Sequence, residues 1–177
     1  MMGIREIVIS SALVVAISMA ATVPATAKTG TAPPVYNEAT KSYFMLGRVP
    51  EGQTKWRKAR AFARAMTFHG VRGRLATVNS AATMKFIRDN FVINNSVWIG
   101  GRVVCKGGKL LWENGDIQKR GDFSRWHRQW NRTNIKCPLV EYMPLYITAE
   151  QKGFFWRASG PEKGFNPILV EFRTGQK

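Results

Sequence analysis

The amino-acid sequence predicts an α+β domain: one strand, two helices, then several short strands separated by long irregular loops. Three observations carry this. Two segments in the first half repeat apolar residues at spacings of three and four, the period of a helix buried on one face. Short apolar runs bounded by Gly, Asn and Pro dominate the second half. The order of one strand, two helices and then several strands is that of an α+β domain.

The chain has 177 residues, enough for one domain and a short extra segment. Apolar residues make up 45%, so a core can be built, which argues against wholesale disorder. Two cysteines and two histidines are too few for a disulfide-dense scaffold or for most His/Cys metal sites. Lys and Arg number 27 against 11 Asp and Glu, a formal net charge of +16. Such an excess favours anionic partners.

Residues 1–27 have the pattern of a secretory signal peptide. Arg5 supplies a positive start, Ile7 to Ala21 is apolar, and Ala25-Thr26-Ala27 is a small-x-small cleavage site. The mature chain is expected to begin at Lys28 and to be secreted or periplasmic. The alternative, a membrane anchor, is opposed by the short apolar run and its ending in Thr22, Pro24 and Thr26. In an oxidising compartment Cys105 and Cys137 can bridge; the alternative is two separate buried thiols.

Residues 28–41 are polar and rich in Pro, Gly and Thr, as in a flexible arm. The domain is expected over 42–173. Ser42 to Val49 is the first strand, turned by Pro50-Glu51-Gly52. Thr54 is the expected N-cap of a helix over Lys55–Phe68, which buries Trp56, Ala59, Ala63 and Met66 and ends at Gly70 and Gly73. Leu75 to Val78 is extended. Asn79 or Ser80 caps a second helix buried through Met84, Ile87 and Phe91. Val97–Gly101 and Leu110–Trp112 are compact strands. A β-rich run broken by Pro138 and Pro144 lies within Cys137–Ile147, and Ile168–Phe172 is the last strand.

These landmarks together resemble the C-type lectin-like domain. Trp56-x-x-Ala59 opens the first helix, and Gly73-x-Leu75-Ala76-Thr77-Val78-x-Ser80 leads into the second. Val97-Trp98-Ile99-Gly100-Gly101 resembles the family's core strand. Leu110-x-Trp112-x-x-Gly115 resembles its W-x-W-x-x-G segment, with Leu110 for the first Trp. Phe123-x-x-Trp126 resembles the aromatic pair that enters the long loop, and Ile168–Phe172 the closing strand. The resemblance spans Ser42 to Phe172. It implies a fold with the two chain ends as neighbouring strands and two helices flanking small antiparallel sheets. Trp98, Ile99 and Trp112 would lie in the core.

Calcium-dependent sugar binding in that family uses a Glu-Pro-Asn or Gln-Pro-Asp triplet and a later Trp-Asn-Asp. Here no Asp or Glu lies between Asp122 and Glu141, and the later segment reads Phe155-Trp156-Arg157-Ala158. Lys119, Arg120, Arg125, Arg128, Arg132 and Lys136 crowd the loop. A hard cation needs six to eight oxygens, so no calcium, other metal or cofactor is expected. Cys137 matches a family position; Cys105 does not.

Two basic regions attract attention. Residues 52–88 hold Lys55, Arg57, Lys58, Arg60, Arg64, Arg72, Arg74, Lys85 and Arg88 and no acid, either as a solvated face or as a surface for an anion. Phe123–Lys136 interleaves Trp126, His127 and Trp130 with arginines. Aromatic faces stack on sugar rings, and guanidinium forks grip carboxylate, sulfate or phosphate. The expected ligand residues are Arg125, His127, Arg128, Trp130, Asn131 and Arg132, with Trp126 in the core and Trp130 exposed.

No GxSxG, HExxH or Walker A loop is present. His69 is expected to cap carbonyls at the end of the first helix. Glu113, Asp116 and Asp122, close in sequence, read as surface acids at a turn rather than a glycosidase pair. No catalytic residue is therefore assigned. The expected function is an exported, calcium-independent lectin-like module for an anionic carbohydrate or envelope polysaccharide. The alternative is a protein-interaction or envelope-structural domain. Nucleic acid is disfavoured by export, and a membrane would be met only by surface electrostatics.

Overall fold

The computed structural model describes residues 32–130, 137, 139–175 and 177. The expected signal peptide, the start at Lys28, and Asn131, Arg132 and Lys136 lie outside the described residues.

Strand β1 (Val35–Asn37) pairs antiparallel with β2 (Ser42–Arg48). This corrects the flexible-arm expectation, because the end of 28–41 is an edge strand. Helix α1 (Trp56–Ala65) follows. Its buried residues are Trp56, Ala59 and Ala63, as the spacing predicts; Met66, expected on the same face, is the half-buried C-cap residue. Lys55 is the N-cap and makes no side-chain bond to the helix. The Thr54 carbonyl instead accepts from Trp98 Nε1 at 2.7 Å and from the Phe165 amide at 3.0 Å. The helix is shorter than expected, ending at Ala65.

Residues expected to end that helix instead form a hairpin of β3 (Thr67–Phe68) and β4 (Val71–Arg72). Its two turn residues, His69 and Gly70, have φ of 48° and 74°. Positive φ at both positions suits the right-handed twist of a tight hairpin. His69 therefore caps no carbonyl; its ring stacks on Phe68, 4.2 Å between centroids.

After β5 (Arg74–Leu75), helix α2 (Ala81–Asn90) is capped by Ser80, whose Oγ accepts from the Thr83 amide at 3.1 Å. Met84 and Ile87 are buried, and Phe91 is the buried C-cap residue. The remaining strands are β6 (Val97–Val104), β7 (Lys109–Trp112), β8 (Tyr142–Glu150), β9 (Gly153–Ala158) and β10 (Pro167–Phe172).

Eight of the strands join in one sheet, in the order β1-β2-β10-β6-β8-β9, with β5 on β10 and β7 on β6; β3 and β4 form a separate two-stranded sheet. The larger sheet is mixed: its pairs are antiparallel except β10 with β6, which run parallel at Ile168 and Trp98. The first and last long strands, β2 and β10, are antiparallel neighbours over Tyr43–Arg48 and Pro167–Phe172.

The sheet is buried on both faces. Along β10, Ile168, Val170 and Phe172 pack with Trp56, Ala59 and Ala63 of α1, and Leu169 packs with Met84 and Ile87 of α2. That is the period-two alternation of a strand between two apolar layers. The α2 side extends through Ile99, Trp112, Leu145 and Trp156. Trp98, Ile99 and Trp112 are all buried, as the resemblance implies.

The register of β6 on β8 shifts between Trp98 and Arg102. There the Gly100 amide donates to the Ala76 carbonyl (2.8 Å) and its carbonyl accepts from the Glu113 amide (2.7 Å). A Cβ on Gly100 would lie 2.3 Å from the Leu75 carbonyl oxygen, so only glycine fits. This close approach joins β5, β6 and the segment after β7, and fixes the root of the long connection to β8.

Candidate ligand-binding site

The connection from Glu113 to Glu141 is anchored at several points. Trp112 Nε1 donates to Gln118 Oε1 at 3.2 Å, and Gln118 Nε2 donates to the Phe123 carbonyl at 2.7 Å. Residues 125–127 then run alongside β9. The Trp156 amide donates to the Arg125 carbonyl (2.7 Å) and the His127 amide to the Trp156 carbonyl (3.0 Å). Phe123, Trp126 and Trp112 meet the buried Trp156 edge to face, at 5.6, 5.7 and 5.3 Å between centroids. Such aromatic contacts hold the segment on the core. Cys105, one residue after β6, is bridged to Cys137, with Cα atoms 5.7 Å apart. The sequence alternative of separate thiols is thereby excluded.

A cleft of about 440 Å³ opens between this segment and the β8–β9 hairpin, lined by His127, Arg128, Glu150, Gln151, Lys152 and Phe155. His127 is buried; its Nε2 lies 3.0 Å from Glu150 Oε1, and its Nδ1 accepts from the Gln129 amide at 3.3 Å. Arg157 Nη2 reaches the same Glu150 oxygen at 2.6 Å. Arg125 lies over the Phe155 ring, 4.8 Å from its centroid, and Nη2 donates to the Lys152 carbonyl at 3.3 Å. Among the described residues, the side chains of Arg128 and Lys152 form no ion pair. The cleft therefore combines an aromatic wall, one carboxylate already engaged, and two cations with no carboxylate of their own.

Of the residues expected to bind ligand, Arg128 and His127 line this cleft and Arg125 braces its aromatic wall. His127 faces Glu150 and positions it, rather than standing open to solvent. Trp130 is half-buried against the core, so the expectation of an exposed Trp130 is corrected. Its amide bonds the His127 carbonyl at 2.7 Å, a turn that draws the indole inward. Trp126 is half-buried against the core. Sequence reasoning missed Glu150, Lys152 and Phe155. Their signal was the polar Gln151-Lys152-Gly153 turn between two β-rich runs.

Arg157 and Ala158, at the positions the resemblance gives to an asparagine and a carboxylate, hold no anionic ligand set. Arg157 bonds Glu150, and Ala158 is buried. Among the described residues no cluster of three or more His, Cys, Asp or Glu side chains is placed to hold a metal ion.

A larger cleft, about 620 Å³, is lined by residues including Asn79, Asp116, Gln118 and Asp122. Its carboxylates are engaged internally. Asp116 accepts from Asn79 and Asn114, and Asp122 from the Lys119 amide.

Among the described residues, six of the nine cations in 52–88 pair with carboxylates, four of them (Lys55, Arg60, Arg64 and Arg74) with acids distant in sequence. Glu113, whose side chain is 1% exposed, accepts from Arg60 (2.8 Å), Arg64 (3.0 Å) and Arg102 (3.1 Å). This corrects its reading as a surface acid. Buried Glu171 takes two bonds from Arg74, at 3.2 and 3.0 Å, one from Ser42 Oγ and one from the Thr77 amide. Lys55 pairs with Glu162. Lys85 and Arg88 share Asp89, at 2.5 and 3.4 Å. The Lys85 hydrogen bond holds the Asp89 carboxyl below the usual carboxylate range, so it is ionised at neutral pH.

Two flanking helices and a mixed sheet whose end strands are neighbours define the class: a C-type lectin-type fold. The family model for the lectin C-type domain matches residues 51–153. The match covers more than half of the chain, and the chain belongs to that family. Solved structures agree. The C-type lectin domain of murine dendritic cell inhibitory receptor 2, in complex with an N-glycan, aligns at 13% identity and TM-score 0.55, covering 74% of this chain and 90% of that one. The Ca2+-independent C-type lectin SPL-2 from Saxidomus purpuratus aligns at 18% identity and TM-score 0.54, covering 76% and 88%. The SPL-1–GlcNAc complex aligns at 16% identity and TM-score 0.55, covering 76% and 89%. At these identities the likeness is one of fold. No curated protein matches the chain.

Proposed function

We propose that this chain is an exported binding module, without catalytic activity, that holds an anionic saccharide in the cleft between residues 125–130 and the β8–β9 hairpin, without calcium. The observation that carries this reading is Arg128 and Lys152 beside Phe155 in one cleft, with no carboxylate paired to either cation among the described residues. A sugar ring packs its apolar face on the phenyl ring, and its sulfate, phosphate or carboxylate takes the cations. Two features support metal-free binding. The connection from Phe123 to Val140 contains no Asp or Glu, and the fold includes a lectin described as Ca2+-independent.

The test is calorimetric titration of the chain from Lys28 with a sulfated disaccharide in EDTA at physiological salt. Binding is expected, and Arg128→Ala with Lys152→Ala is expected to weaken it at least tenfold, since hydrogen bonds to charged groups contribute about 1.5 kcal/mol or more each. Unchanged affinity in that double variant would place the ligand elsewhere. Saturable calcium binding below about 1 mM would overturn the metal-free reading. Export is tested by the intact mass of the protein recovered outside the cytoplasm, which should start at Lys28.

A further inference from the structure

The β8–β9 hairpin has a second cleft on its other side, about 220 Å³, lined by residues including Lys85 and Arg88 of α2, Arg125, Gly153 and Phe154. Phe154 and Phe155 are successive residues of β9, so their side chains leave opposite faces of the strand. One lines each cleft. Only the hairpin tip separates the two. At that tip Gly153 has φ +110° and no side chain, and the nearest atom to a Cβ there would be Arg125 Nη2 at 3.8 Å. Arg125 links both sides: it lines the second cleft, covers Phe155 of the first, and bonds the Lys152 carbonyl between them.

The charge is continuous across the tip. Lys85 and Arg88 have one carboxylate, Asp89, between them. Arg125, Arg128 and Lys152 have none among the described residues, while Glu150 is shared by His127 and Arg157. Cations therefore outnumber carboxylates on both sides of a ridge lowered to backbone at Gly153.

We infer that the two clefts form one track across the β8–β9 tip, so that the ligand is an extended linear polyanionic saccharide rather than a single charged sugar. This rests on the proposed function and deepens it. A monosaccharide or disaccharide fills the Phe155 cleft alone. A longer chain crosses Gly153 past Arg125 and places further anionic groups against Lys85 and Arg88, releasing more counterions as it does so.

Heparin-derived di-, tetra-, hexa- and octasaccharides, titrated in EDTA at fixed ionic strength, test this. Affinity is expected to rise at least tenfold from di- to octasaccharide, with a steeper loss on adding salt for the longer chain. Overlapping registers alone raise affinity only by roughly the number of registers. In Lys85→Ala with Arg88→Ala, checked for native circular dichroism, the octasaccharide-to-disaccharide ratio should fall to a few-fold. Disaccharide binding with no gain in longer chains overturns the track and leaves the proposed function standing. Failure of every length to bind overturns the proposed function itself. A length gain unaltered in the double variant overturns the path along α2. A single-stranded oligonucleotide of equal charge binding as tightly would overturn the saccharide assignment.

Discussion

Glu113 lies at the centre of three guanidinium groups, and its side chain is almost fully enclosed. Removing it leaves Arg60, Arg64 and Arg102 facing one another, with Arg60 and Arg102 still held over the Trp56 ring at 5.7 and 5.9 Å. Breaking a buried pair costs about 3–5 kcal/mol, but the arginines are partly exposed and solvent screens them. Glu113→Ala is therefore expected to lower the unfolding free energy by about 2 kcal/mol in a urea titration, and Glu113→Gln by less. A loss below about 0.5 kcal/mol would show that water replaces the carboxylate freely. The same residue marks a limit of sequence reading. Residues 52–88 contain cations and no acid, and Glu113 stands among turn-forming neighbours. Neither fact reveals that the fold carries that acid onto α1, because ion pairing follows proximity in space. His127 is a similar case: its type was legible, but its engagement with Glu150 depends on β8 arriving beside it.

At the scale of elements, the helices were the most legible. Trp56, Ala59 and Ala63 declare one face, as do Met84 and Ile87, since a 3.6-residue period leaves few alternatives. The core strand of β6 was legible from its apolar run and paired glycines. Gly100→Ala is expected to cost about 3 kcal/mol or to prevent folding, since its Cβ would meet a backbone oxygen that cannot move without β5. Thermal melts of the purified variant read this directly. The strand β9 was missed because Phe155–Ala158 invites comparison with a family motif rather than assignment as a strand. That omission removed half of the candidate cleft from view. The disulfide spans 32 residues of sequence and ties the far end of the long connection to the end of β6. Cys105→Ser with Cys137→Ser is expected to cost about 3–4 kcal/mol in the chain-entropy account. The same variant should weaken saccharide binding, because it frees the segment that carries Arg128. Equal stability of oxidised and doubly substituted protein in denaturant would contradict the first expectation.

For the whole molecule, five carboxylates (Asp89, Glu113, Glu150, Glu162 and Glu171) take eight ion pairs with Lys or Arg among the described residues, and Glu150 also meets His127. Glu113 serves three arginines and Asp89 serves Lys85 and Arg88, so these two clusters remain net positive. With a formal charge of +16 the folded state repels itself. Raising NaCl from about 10 to 150 mM shortens the Debye length from about 30 to 8 Å. The melting temperature should rise over that range while affinity for a sulfated chain falls. A melting temperature that drops with added salt would mean that attractive pairs outweigh the repulsion.

The antiparallel pairing of β2 with β10 has a mechanical consequence. The start of β2 lies opposite the end of β10, with Tyr43 facing Phe172. A pull that separates those two ends acts across the strands, so their hydrogen bonds load one after another rather than together. The first buried carboxylate in that path is Glu171, clasped by Ser42, Arg74 and the Thr77 amide. In an optical trap, the molecule held this way should open at low force like a zip, with Glu171 as its first tooth.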